Sequence, residues 1–139
     1  MRIKYLLSLA VMGSLSMLAG CDERPDEIAS DISGLSVPSN AVVTSIRLES
    51  ARFRTVGYRL VQLQLDSSAF ETAGREAPAL GYRRLPVPAG AYYTSLKPYL
   101  SETASGWYRV VVADSHDSAT FKLAVLDARK RTLLAEENW

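Results

Sequence analysis

The chain has 139 residues, 47% hydrophobic and 22% charged, with a formal net charge of +1 and a single cysteine. About 100 residues remain beyond the N-terminal segments, enough for one modest core but not for two independent domains. The charge is uneven: residues 22–40 hold five acids against Arg24 alone, and residues 41–139 hold thirteen Lys and Arg against ten Asp and Glu. That basic excess is too mild for a nucleic-acid-binding domain, which needs clustered positive charge.

Met1–Tyr5 carry Arg2 and Lys4, and Leu6–Met17 are apolar apart from Ser8, Ser14 and Ser16. Small residues follow at Ala19 and Gly20, completing the order of a secretory signal. The apolar run is shorter than the roughly 20 residues of a transmembrane span. Leu18, Ala19, Gly20 and Cys21 resemble the bacterial lipobox, three small or aliphatic residues followed by cysteine. The resemblance implies a diacylglyceryl group on the Cys21 sulfur, cleavage between Gly20 and Cys21, and commonly acylation of the new amino group. Two acyl chains hold a protein on a bilayer, each inserted methylene contributing about 0.8 kcal/mol. Asp22 and Glu23 resemble the signal that keeps such lipoproteins at the inner membrane, facing the periplasm, rather than at the outer membrane. A thioether-linked sulfur forms no disulfide and offers no thiolate to a metal, and the lack of other cysteines suits an oxidising envelope.

Residues 22–40 are rich in Asp, Glu, Ser, Pro and Gly with isolated aliphatics, and read as a flexible tether. Such a tether reaches at most roughly 60 to 70 Å and spans about 24 Å as a coil. The competing reading is a short docked helix over Ile28–Leu35. The domain partition is therefore signal 1–20, lipidated Cys21 with an acidic tether to residue 40, and one globular domain from 41 to 139.

Val43–Arg54 alternates Ile46, Leu48 and Phe53 with charged residues, the pattern of a strand with one buried face. Tyr58–Leu65 continues it with Val61, Leu63 and Leu65, and a join near Gly57 predicts a hairpin. Ser68 and Glu71 have capping-box spacing ahead of Phe70, Ala73, Ala77 and Leu80, which predicts a helix ended or kinked by Pro78 and over by Gly81. Gly81–Gly90 reads as an extended connection, and Ala91–Leu100 as a second short helix weakened by Pro98. Trp107–Ala113, Ala119–Leu126 and Thr132–Glu136 read as strands, with Phe121, Leu123 and Val125 on one side of the second. The order β-β-α-(α)-β-β-β predicts an α+β fold: a mainly antiparallel sheet of about five strands with one or two helices on one face.

Asp114–Ser118 contains Ser, His and Asp, but a hydrolase triad assembles from separated segments, so consecutive residues here read as a turn. Glu136 and Glu137 read as solvated near the C-terminus. The sequence holds no G-x-S-x-G, phosphate loop or metal-ligand spacing, which predicts no enzyme, no cofactor and no metal. Tyr82, Arg83, Arg84, Tyr92 and Tyr93 flank a proline-containing loop and combine the residue types enriched at binding hot spots. They are the candidate surface for a protein or envelope-component partner, against the plainer reading in which Tyr58, Tyr99 and Trp107 fill the core. The function expected is non-enzymatic binding by a membrane-anchored envelope protein, with no nucleic-acid partner. The alternative is an inhibitor or immunity protein guarding the envelope against a toxic enzyme.

Overall fold

Five runs of β-branched and aromatic residues, plus one pair of arginines, build a six-stranded antiparallel sheet in a computed structural model that describes residues 23–50, 57–114 and 116–139. The signal and lipobox residues, with Gly20, Cys21 and Asp22, lie outside the described residues, as do Phe53, Arg54 and Ser115. Among the described residues the strands are β1 (Val42–Ser50), β2 (Gly57–Gln64), β3 (Arg83–Arg84), β4 (Gly106–Asp114), β5 (Asp117–Asp127) and β6 (Thr132–Asn138), and the α-helices are α1 (Pro25–Ser33) and α2 (Ser67–Glu76). The spatial order is β1-β2-β6-β5-β4-β3, and every pairing is antiparallel. The α+β antiparallel class is therefore as the sequence predicts. The sixth strand is β3, which lies inside the stretch expected to be an extended connection; Arg83 pairs with Tyr108 and Arg84 with Trp107.

Both faces of the sheet are covered at its centre. On one face α1 and α2 bring Ile28, Ala29, Ile32 and Ala73 onto Val61, Leu63, Ala124, Leu126, Leu133 and Ala135. On the other, the segment between β3 and β4 lays Leu85, Val87 and Leu96 over Tyr108, Leu123, Val125 and Leu134. This two-sided burial explains why β5 and β6 carry consecutive apolar residues from Leu123 to Leu126 and Leu133 to Ala135 where a one-sided strand alternates. Leu96 belongs to a 3-10 helix at Thr94–Tyr99, with Pro98 inside it, where the sequence predicts a second short helix.

The acidic stretch before residue 40 is not a tether over most of its length. Pro25 opens α1, Asp26 and Glu27 sit in its first turn, and Gly34 closes it at φ 72° with its N–H on the Ser30 carbonyl at 2.8 Å. Ile28, Ala29 and Ile32 fall on one face and, with Leu35, are at most 1% exposed. Burying each large aliphatic contributes about 1.5–3 kcal/mol. Three apolar positions at helical spacing decide the outcome against the polar average, and the boundary expected near residue 41 falls before α1.

Two further expectations change. The cap of α2 is Asp66, whose Oδ1 accepts the Ala69 N–H at 2.7 Å, so Ser68 lies inside the helix and the capping box does not form. Ile46 and Leu48, expected on a buried face, are 46% and 49% exposed. The alternation is real, but β1 is an edge strand and the helices cover only the middle of the sheet.

Candidate functional site

The helix-side face of the sheet carries a row of polar residues beyond the end of α1. Arg59 on β2 lies opposite Glu137 on β6, and Glu137 opposite Lys122 on β5. The Arg59 guanidinium, 16% exposed, binds Glu23 Oε2 through Nη1 at 2.6 Å and Asp31 Oδ2 through Nη2 at 2.8 Å, and it also binds Glu137. Lys122 Nζ adds longer contacts to Asp31 at 3.9 Å and Glu137 at 3.8 Å. Burial on its own lowers the Arg59 pKa, but the hydrogen bonds to Glu137 and Asp31 and the nearby carboxylates outweigh it and hold the guanidinium above its ordinary value. The guanidinium also stands 5.5 Å from the centre of the Trp139 indole. Trp139 closes the sheet by exchanging both backbone hydrogen bonds with Gly57, at 2.8 and 3.0 Å. Its ring covers Gly57, where a side chain would collide with it.

This network holds the residue two positions after Cys21. Glu23, read from the sequence as part of a sorting signal, is thus also a structural partner of Arg59. Arg59, Lys122 and Glu137 are absent from the sequence-derived site, because the contact depends on α1 folding back onto the sheet.

The candidate partner residues do not form one surface. Tyr82 is 5% exposed and is a core residue, with its hydroxyl donating to the Ser33 carbonyl at 2.7 Å. Burial pushes that hydroxyl up to about 12, opposed by the Arg109 guanidinium 5.0 Å from the ring and by the bond to Ser33. Arg109 itself donates to the carbonyls of Leu80 at 3.2 Å and Ile32 at 3.1 Å, so both side chains fasten the end of α1. Tyr82 is buried because α1 occupies the face that a mere tether would leave open. Arg83 and Arg84 are exposed, and Arg84 stacks 4.1 Å from the Trp107 ring centre on the helix side. Tyr92 is 76% exposed and meets Tyr93 edge-on at 5.3 Å, and Tyr93 packs 4.3 Å from Phe121 on the opposite face. The sheet therefore separates Arg84 from Tyr92 and Tyr93. Trp107 and Tyr99 are partly buried core members, as the plainer reading expects.

Glu136 and Glu137 are not solvated. Glu136 is 8% exposed and accepts the Tyr58 hydroxyl at 3.1 Å on Oε1, while Oε2 has no hydrogen-bond partner among the described residues. Burial first, and then the Glu136 carboxylate, push the Tyr58 hydroxyl up to about 12. The alternation of β6 places Glu136 on one face and Glu137 on the other, which adjacency in sequence conceals. Asp114 pairs with Asp117 across the β4–β5 hairpin, with His116 exposed in the turn. An open depression of ≈ 400 Å³ beside Tyr99 includes Asp127, whose Oδ1 already accepts the N–H groups of Arg129 and Lys130. Among the described residues no group of three or more His, Cys, Asp and Glu side chains is placed to hold a metal, and no helix is long and apolar enough to cross a membrane.

No family model, curated protein or solved structure matches the chain. The functional reading therefore rests on its own residues.

Proposed function

We propose that the chain is a lipid-anchored protein of the bacterial envelope that acts by binding a protein or envelope component, without turnover chemistry of its own. The observation that carries this reading is Leu18–Cys21, a lipobox match behind a charged start and an apolar run. Asp22 and Glu23 favour the inner membrane. Binding rather than catalysis is favoured by the use already made of the acids: Asp31 and Glu137 neutralise Arg59 and Lys122, and Asp127 holds a turn.

Growth with a clickable fatty acid tests the reading. The parent chain takes up the label, partitions into detergent and fractionates with inner membrane, whereas Cys21→Ser is unlabelled and leaves the detergent phase. Label persisting in Cys21→Ser, or a parent chain without label, overturns the proposal.

A further inference from the structure

The two edges of the sheet are treated differently. β3 is two residues long and carries two arginines, the usual means of blunting an edge. β1 is nine residues long, and it leaves Val42, Val43, Ile46 and Leu48 at 62%, 41%, 46% and 49% exposure. The direction of the backbone groups that β1 leaves unpaired among the described strands follows from the pairing further in. Gly57 and Trp139 exchange both backbone bonds, so the odd-numbered residues of β2 point their N–H and C=O groups at β6 and the even-numbered ones point theirs at β1. Leu60 and Tyr58 lie opposite Arg47 and Glu49, whose backbone groups are therefore used inward. Those of Ile46, Leu48 and Ser50 point away from the sheet.

We propose that β1 is a self-association strand, pairing antiparallel with β1 of a second copy about a two-fold axis at Leu48. In that register Leu48 meets Leu48 of the second copy, and Ile46 meets Ser50 of the second copy, giving about six new backbone hydrogen bonds. Arg47 then stands opposite Glu49 of the second copy, and Glu49 opposite its Arg47, at the closely spaced positions of the ladder. Within one copy these two side chains already form an ion pair at 2.8 Å, so pairing exchanges one intrachain contact per copy for charge pairs across the axis.

Charge selects this register and points to a second copy as the occupant. Centring the axis on Arg47 opposes two arginines, and centring it on Glu49 opposes two glutamates; both are destabilising. Centring it on Ile46 draws the irregularity between Val43 and Ser45 into the ladder. The apolar side of the pairing continues the helix-side face, because Ile46 and Leu48 lie opposite Val61 and Arg59. The inference stands on β1 alone and does not require the anchor.

The test is cysteine crosslinking of the full chain in a bacterial envelope, read against a parent control for Cys21. Leu48→Cys crosslinks to itself. Ile46→Cys and Ser50→Cys crosslink when co-produced and not when produced singly. Arg47→Glu or Glu49→Arg, each added to Leu48→Cys, lowers the crosslinked fraction about tenfold, and co-producing the two charge variants restores it. Leu48 is exposed, so its replacement leaves the fold intact, which a parental unfolding midpoint verifies. Absence of the Leu48→Cys crosslink, or a crosslinked fraction unmoved by both charge variants, overturns the proposal. So does slow amide exchange at Ile46 and Leu48 without self-crosslinking, which assigns the edge to another chain.

Discussion

Tyr82 and Ser33 are joined by a 2.7 Å hydrogen bond that spans the sequence from the end of α1 to the start of β3. Removing the hydroxyl in Tyr82→Phe leaves the Ser33 carbonyl buried without its donor. We expect a loss of about 1–2 kcal/mol in urea unfolding. Tyr82→Ala also opens a cavity and is expected to cost about 3–5 kcal/mol. An unchanged midpoint for both variants would show that the ring is not part of the core.

The same residue gives a pH dependence of known sign. The Tyr82 hydroxyl titrates near 12 in the folded chain against an ordinary value of 10.0, because burial disfavours its charged form. Its contribution is fully present below pH 10 and falls as the pH rises from 10 towards 12, since the unfolded chain releases the proton first. Tyr58 is shifted in the same direction and adds to the trend. Unfolding free energies measured from pH 9 to 12 should decline, and Tyr82→Phe should make the decline shallower.

The packing of α1 is tested by Ile32→Ala, at a side chain with no solvent exposure. A loss of about 2–5 kcal/mol is expected. Removing Met1–Ser36 should abolish the cooperative transition, because Ile28, Ile32 and Leu35 leave with it. A truncated chain that melts as the parent does would restore the tether reading.

The start of α2 separates two caps. Asp66→Ala removes the acceptor of the Ala69 N–H and should cost about 1 kcal/mol, whereas Ser68→Ala should change stability by less than about 0.5 kcal/mol. Equal effects would mean that Ser68 shares the capping role.

Five of the six strands and the body of α2 were legible because alternation and helical spacing are local signals, whereas the two-residue β3 and the Asp66 cap were not, and the antiparallel class follows from tight connections between the strands. α1 was hidden because composition averages over a stretch in which only Ile28, Ala29, Ile32 and Leu35 carry the packing. Exposure of Ile46 and Leu48 was hidden for a different reason. A period of two shows that a strand has an apolar face, whereas coverage of that face depends on its place in the sheet. The ion-pair network around Arg59 joins residues from Glu23 to Glu137, and no local pattern encodes it. The Tyr82–Tyr93 grouping failed because neighbours in sequence were sent to opposite faces of the sheet, with Tyr82 turned into the core.

The anchor is tested most directly by the mass of the N-terminal peptide of the protein purified from membranes. We expect a chain that begins at Cys21 and carries a diacylglyceryl group on its sulfur, with an acyl group on its amino nitrogen where that second step occurs. A chain beginning at Met1 or at any residue other than Cys21, or an unmodified thiol at Cys21, would contradict it.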